Sequence, residues 1–485
     1  MRFFTILRRL LPLAASFRRD YRRWLVAGPP VRRTDLFHQR RAERLVAALA
    51  GLGPSFVKIG QIFAGRADLL VEPYATQLSR LTDQVPPVPF GPVQQIIETE
   101  LRRPLSETFE SFDPEPIAAG SLGQVYRARY QGRDVAVKVL RPGVEDIVRR
   151  DLVVAKRLVG WLVRWWPNAH TLGAQSVLEE FSVRVWDEMD FTREAANLRL
   201  VRTNFAGNRR VRIPAVFDDL SGPRVLVLEF MVGTRIDALD PDVLHGGLRV
   251  AGVVERLVEL YLQMMLEHGV FHADPHPGNL LVAPDGVLVL LDFGVIIPVA
   301  RDRRRHILDT AFAALRRDPA GVTDGMYALG IVEPGADRAQ IERLARLLID
   351  LSAGRTTTQE RLYLLTHEIM DELYDWPVRL PSDLVYYGRT AALIEGIGVR
   401  YDPHFNPLQV AAPVLFRMRG ALLASLSDSR VLDQLDLPSV IGFALGKATA
   451  VIADVGARLL RFARGGLEGL ERPAPKQLPR RAGAA

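Results

Sequence analysis

Three short polar motifs, set in or against apolar strand-like runs, limit the fold of this chain most. Val135-Ala136-Val137-Lys138 places a lysine inside a valine-rich run. Far downstream, FHADPHPGNLL (271–281) gathers His272, Asp274, His276 and Asn279 within eight residues. Asp292-Phe293-Gly294 follows thirteen residues after Asn279, closing the run LLVAPDGVLVLLDFG (280–294). By itself the spacing His272-x-Asp274-x-His276 admits a metal site, a general-base site or a polar turn. The other two motifs decide among these. Asn279 and Asp292 offer the hard oxygen ligands that magnesium prefers. Lys138 supplies a fixed positive charge, and Asp274 is placed to orient a hydroxyl or water or to accept its proton. The histidines are then expected to support the loop by hydrogen bonds rather than to bind zinc.

A strand lysine, an H-x-D-x-x-x-x-N loop and a D-F-G turn, in this order, are the phosphoryl-transfer parts of a protein-kinase-like fold. Lys138 would meet the α- and β-phosphates of ATP and needs a carboxylate to hold it; Glu194 in DFTREAANL is the candidate. The strand pair around PIAAGSLGQVYRA should cover the phosphates. No G-x-G-x-x-G occurs there: Ala118 and Ala119 precede Gly120 and Ser121. The extra methyl groups should restrict the loop, since bare glycine backbone is what approaches a phosphate most closely. Glu229, in LVLEFMVG, falls at the hinge between lobes, where backbone rather than side chain would meet adenine.

The pattern along the chain agrees with this assignment. Residues 34–105 read as helical and split at Gly53-Pro54, and QVPPVPFGP (84–92) is a linker or sharp bend. Short β-rich runs begin at Phe109, with Gln131-Gly132 the turn of a hairpin. Helices return between Glu145 and Asn204; RVLVLEFM (224–231) is a strand, and the rest is helical except a hairpin turning at Asp285-Gly286. The expected class is α+β, a bilobal protein-kinase-like fold. Its divisions are a basic arm (1–33), a helical extension (34–105), an N-lobe with inserted helices (106–231), a helical C-lobe (232–435), and an amphipathic helix with a tail (436–485).

Composition matters at three points. The chain has 485 residues, 48% hydrophobic and 25% charged, so it is long and apolar enough for more than one ordered lobe. It has no cysteine, which excludes disulfides, thiolate metal sites and cysteine nucleophiles. Residues 1–50 carry twelve arginines against Asp20, Asp35 and Glu43; this excess is larger than the net charge of +7, so the body is slightly acidic. MRFFTILRRLLPLAASF sets Phe3, Ile6, Leu7, Leu10 and Leu11 at helical spacing beside Arg8 and Arg9. Two readings stand open: a basic helix lying on a membrane interface, or a helix docked on its own domain. No nucleic-acid reader, signal peptide or clear membrane span is legible. The uncharged run Leu437–Gly446 is ten residues, and a span needs about 20. Ile441, Leu445, Ala448, Ile452, Val455, Leu459 and Phe462 mark one apolar helix face.

FVKIGQ (56–61), AAGS (118–121), VAVKVLRPGV (135–144), EMDFTREAAN (188–197), HADPHPGN and LDFG together resemble the UbiB/ADCK atypical kinases, also called the AarF family, over roughly residues 50–300. The resemblance implies that Lys58 and Gln61 lie on a helix draped over the cleft, tied by the E-x-D pair Glu188 and Asp190. Asp190 and Glu194, four apart, would serve Lys58 and Lys138 from one helix face. It further implies a Mg-ATP-dependent ATPase or atypical kinase in ubiquinone or other isoprenoid-lipid metabolism, with lipid-biosynthesis enzymes as partners and a place on the cytoplasmic face of a membrane. Members usually read Ala-Ala-Ala-Ser where this chain has Gly120, which should relax the loop toward that of an ordinary kinase. The other expectations are a small-molecule phosphotransferase of the aminoglycoside or choline kinase kind, and a nucleotide-binding scaffold.

Overall fold

The computed structural model describes residues 2–27, 35–64, 73–81, 86–165, 169–244, 246–353 and 381–403, with short runs between 405 and 418. The chain divides into two compact units, Met1–Ala411 and Ala412–Ala485, and the first holds the helices and strands named below. The amphipathic helix and tail read at 436–485 lie outside the described residues.

The chain opens with helices α1 (Arg2–Ala27), α2 (Asp35–Leu52), α3 (Pro54–Ala64), α4 (Tyr74–Ser79), α5 (Phe90–Leu101) and α6 (Leu105–Thr108). The break between α2 and α3 has a plain cause. Gly53 takes φ +98°, which ends α2, and Pro54 starts α3 where its missing N–H costs nothing. Helix α1 is docked on its own unit. Ile6 is 0% exposed and Leu13 is also buried. Arg2 reaches far along the chain and holds Asp151 with two bonds, Nε–Oδ1 at 2.7 Å and Nη2–Oδ2 at 2.8 Å. Of the two readings of the arm, docking accounts for this face, while Phe4 and Leu11 remain exposed.

Strands β1 (Ser111–Phe112), β2 (Ala118–Ala119), β3 (Gly123–Tyr130) and β4 (Arg133–Leu140) follow. Three inserted helices come next: α7 (Val144–Trp165), α8 (Ala169–Glu188) and α9 (Phe191–Asn204). After β5 (Val211–Arg212), β6 (Val225–Glu229) completes a five-stranded antiparallel sheet in the order β1-β3-β4-β6, with β2 on β3. The β3–β4 turn is Gln131-Gly132, with φ 49° and 71°; paired positive φ values match the twist of a two-residue hairpin. Alternation along the strands then sorts the side chains. Tyr126, Ala128, Val135, Val137 and Val139 point to one face and pack with Val93 and Ile97 of α5. Lys138 points to the other, opposite Val125 and Leu226.

The second lobe begins with β7 (Thr234–Arg235) and α10 (Val250–Leu262), whose last turn widens into a π-helix over Gln263–His268. Strands β8 (Val270–His272), β9 (Leu280–Val282), β10 (Leu288–Leu290) and β11 (Ile296–Pro298) carry the polar motifs. Helices α11 (Arg301–Leu315), α12 (Pro319–Ala328), α13 (Arg338–Ala353) and α14 (Ser382–Tyr401) complete the lobe. The hairpin expected at Asp285-Gly286 is β9–β10, inside a four-stranded sheet β5-β10-β9-β7; β8 pairs with β11. Strands of two or three residues such as β5, β7, β8 and β11 fall within stretches the sequence pattern gave to helix or loop, because they are too short to show a period of two. Among the described residues no helix is long and apolar enough to cross a membrane.

If α1 is part of the folded core, Ile6→Ala should destabilise the protein by about 2–5 kcal/mol in urea denaturation without lipid. An arm that only lies on membranes would leave the midpoint unmoved.

Candidate active site

The centre of the site is one ammonium group. Lys138 Nζ lies 2.7 Å from both carboxylate oxygens of Glu194 and 3.0 Å from Asp292 Oδ2. Strand β4 supplies the lysine, α9 the glutamate, and the second residue past β10 the aspartate. Burial opposes the lysine charge, but Asp292 and Glu194 together hold it above the usual lysine range. Burial also opposes ionisation of Asp292, yet Lys138 and the Gly294 N–H, 2.9 Å from Oδ1, keep it well below the usual carboxylate range. Burial pushes Glu194 up to about 7, with Asp292 adding to the rise and Lys138 opposing it. Two carboxylates sharing one cation cannot ionise independently, so their affinities for protons separate.

Helix α9 also fixes the D-F-G turn. Asn197, three residues after Glu194, donates from Nδ2 to the Phe293 carbonyl at 2.9 Å. Phe293 is fully buried, its ring edge-on to His272 at 5.3 Å. His272 is buried too and bridges two elements. Its Nε2–H donates to the Asp292 carbonyl. Its Nδ1 therefore accepts from the Tyr261 hydroxyl at 2.8 Å. Burial lowers the His272 pKa, in keeping with this neutral form. His276 caps the turn Pro277–Asn279 by accepting from the Gly278 N–H at 3.1 Å. Both histidines serve the loop. Among the described residues no three His, Asp or Glu side chains gather as a metal-holding group.

Register sets the two candidate magnesium ligands side by side. Leu280 pairs with Leu290, and Leu291 N donates to Asn279 O at 3.0 Å, which brings Asn279 beside the start of the D-F-G turn. Asn279 Nδ2 lies 3.4 Å from the Asp274 carbonyl, leaving its oxygen available. An amide oxygen and a carboxylate of depressed pKa suit magnesium. Asp274 itself has a partner no local pattern announced: Arg389 Nη2 of α14 lies 3.3 Å from Asp274 Oδ1.

The expected phosphate loop is ordered. Ala118 and Ala119 form β2 and pair with Val125 and Gln124 of β3. Gly120 N donates to Gly123 O at 2.8 Å, and Ser121 is buried. Arg141 clamps the loop, donating from Nε to the Gly120 carbonyl at 2.8 Å and from Nη1 to Pro86 O at 3.1 Å. A Cβ on Gly120 would meet Gly123 O at 3.6 Å, an ordinary contact, so space alone does not demand glycine there.

Lys58 Nζ pairs with Glu188 Oε2 at 2.9 Å, at the junction of α8 and α9. Gln61 Nε2 donates to Leu81 O at 3.0 Å. Gly60 between them is close-packed: a Cβ would come within 2.4 Å of Leu81. Asp190 departs from the expectation that it shares a helix face with Glu194. It is the N-cap of α9, and its Oδ1 accepts from Thr192 N at 3.0 Å and from Thr192 Oγ1 at 2.6 Å. An aspartate preceding a helix satisfies the first free N–H groups, so Glu188 takes Lys58.

A small sheet lobe, a larger helical lobe and this charged cluster define a kinase-like protein. Residues 80–326 match the ABC1 atypical kinase-like domain. An uncharacterized protein of Synechocystis sp. is 31% identical over 437 residues, covering 89% of this chain and 74% of its own length. ACTIVITY OF BC1 COMPLEX KINASE 1, chloroplastic, of Arabidopsis thaliana is 35% identical over 376 residues, covering 77% of this chain. The chain spans 55% of that plant protein. The structure of an erythromycin complex from Mycobacterium tuberculosis superposes with a TM-score of 0.56 at 25% identity, covering 78% of this chain and 96% of that one. The chain belongs to the ABC1/UbiB family of atypical kinase-like proteins.

Glu194 takes up a proton as pH falls through about 7, loosening its hold on Lys138. Replacing Asp292 by Asn removes the charge that helps raise it, so a carboxyl NMR titration should show the Glu194 pKa lowered, by roughly one unit. An unchanged or higher value would mean that Asp292 does not set the Glu194 proton affinity.

Proposed function

We propose that the protein is a Mg-ATP-dependent atypical kinase or ATPase that works at a membrane surface in ubiquinone or other isoprenoid-lipid metabolism. The observation that carries the catalytic part is the Lys138–Glu194–Asp292 cluster beside the 272–279 loop. Lys138, held by Glu194, would receive the α- and β-phosphates, and the Ala118–Ser121 hairpin would cover them. Asn279 and Asp292 would hold magnesium, which supplies charge neutralisation at the phosphates when bound. Asp274 would orient the attacking water or hydroxyl, and Arg389 fixes the direction of its carboxylate. Lys58 and Glu188 brace the start of α9, six residues before Glu194. The lipid and membrane parts, with a peripheral place on the cytoplasmic face, rest on the family resemblance carried by the K-x-G-Q helix.

A second reading has one observation in its favour. A structural neighbour was solved with erythromycin, so a small molecule bearing hydroxyl groups is the alternative acceptor. Release of phosphate to water, against its transfer to such a molecule, separates the two.

Wild-type protein should hydrolyse Mg-ATP faster with anionic liposomes than without. Asp292→Asn should lose Mg-dependent nucleotide binding and lower turnover by about a hundredfold. Unchanged Mg-dependent binding in that variant would remove Asp292 from the metal site. Arg389→Ala should lower kcat by roughly tenfold to a hundredfold with KM for ATP nearly constant. A change confined to KM would place Arg389 in nucleotide binding instead.

A further inference from the structure

Helices α7 and α8 form a hairpin whose inner side is well used. Val144, Val148, Leu152 and Ala155 of α7 are buried in the main core, and α3 packs against both helices. The outer side of α7 is different in kind. Lys156, Arg157 and Arg164 are exposed. Arg149 and Arg150 continue the row toward the start of the helix, where Asp146 pairs with Arg149 at 2.9 Å. The one acid between Ile147 and Trp165 is Asp151, which faces inward and is held by Arg2. The cationic face therefore has no interleaved carboxylate of its own.

At the hairpin end the same face turns apolar. Trp161 is 59% exposed and Trp165 is 75% exposed, with Leu162 beside them and Leu172 exposed on α8. Positions 157, 161 and 165 are successive i, i+4 steps, so an arginine and two indoles stand in one line. Large apolar groups exposed together mark an interaction site more often than a solvated surface. Tryptophan has a preference of its own, since its ring settles at the headgroup level of a bilayer. A cation-lined helix face ending in indoles has the composition of an interfacial helix.

We propose that the end of the α7–α8 hairpin is a membrane-docking surface for anionic bilayers, with Trp161 and Trp165 entering the interface and Lys156, Arg157 and Arg164 meeting the headgroups. The proposal rests on the membrane-surface part of the reading above and names the surface; it is independent of the ATP chemistry. Charge selects the partner, because α7 from Lys156 to Trp165 carries cations and no carboxylate, and an anionic headgroup layer offers the opposite charge. The exposed large apolar residues of α1, Phe4 and Leu11, are the competing anchor. Helix α8 runs from the hairpin end to Glu188, the partner of Lys58, over ~29 Å at the usual helical rise. Docking there would join the bilayer to the brace beside the active site.

The test uses the full chain and co-sedimentation with phosphatidylcholine vesicles, with and without phosphatidylglycerol, in the absence of nucleotide. Wild-type protein should bind the anionic vesicles, and lipids with brominated acyl chains should quench its tryptophan fluorescence. Trp161→Ser with Trp165→Ser should weaken binding about tenfold and remove most of the quenching. Arg157→Gln with Arg164→Gln should weaken it on the order of twentyfold at low salt, or about fivefold per cation. Melting temperatures should not move, because all four side chains are exposed. Wild-type binding retained by both double variants would overturn the proposal. So would the absence of vesicle binding by the wild type, or loss of binding on Phe4→Ser with Leu11→Ser, which would place the anchor on α1. A wild-type dimer made monomeric by the tryptophan changes, with vesicle binding intact, would assign the face to a second copy and overturn it too. Vesicle-free ATP hydrolysis, measured in parallel, should be equal in wild type and tryptophan variant. Its absence in both would defeat the catalytic reading and leave the vesicle result standing.

Discussion

The ammonium of Lys138 is the point on which the rest of the site depends. It is the one cation that Glu194 and Asp292 share, and the three groups come from a strand of the sheet lobe, an inserted helix and the end of a strand in the helical lobe. Removing Lys138 would leave two buried carboxylates facing each other without compensation, which costs far more than the pair is worth when whole. The three elements are thus held in register by electrostatics as much as by packing. The same arrangement explains why the two carboxylates diverge. Asp292, which also accepts the Gly294 N–H, keeps its charge, and Glu194, more deeply enclosed, resists ionisation.

Helix α9 converts this local pairing into a connected structure. Asp190 caps it, Glu194 reaches the lysine, and Asn197 holds the backbone of the D-F-G turn. Just before its cap, Glu188 takes Lys58 from the helical extension. The extension and the site therefore meet through a few residues at one helix start. Gly60 permits that meeting by letting leucine side chains close over α3.

Two arginines decide how the chemical groups are presented. Arg141 closes the Ala118–Ser121 hairpin by binding the Gly120 carbonyl, so order in that loop is imposed from outside its own sequence. Arg389 reaches from α14 to Asp274 and gives the carboxylate of the 272–279 loop a defined direction. In both cases one guanidinium N–H meets the oxygen, Arg141 Nε at Gly120 O and Arg389 Nη2 at Asp274 Oδ1.

Much of this was legible in the residues. The motifs around Lys138, Glu194 and Asp292 mark the three groups that meet in the cluster, and the turns at Gly53-Pro54 and Gln131-Gly132 follow from backbone chemistry that acts within two residues. Strand alternation sends Lys138 away from Val137 wherever the sheet packs. Partners far along the chain were not legible. Asp151 finds Arg2, Asp274 finds Arg389, and Asp190 spends its carboxylate as a cap while Glu188 holds the lysine. The very short strands β5, β7, β8 and β11 exist only because neighbouring strands offer free backbone groups. Local turns, periodicity and chemical type are set by interactions between near neighbours in sequence. Which of many arginines meets which carboxylate is set by the distance and burial that packing creates, and only the folded chain contains those.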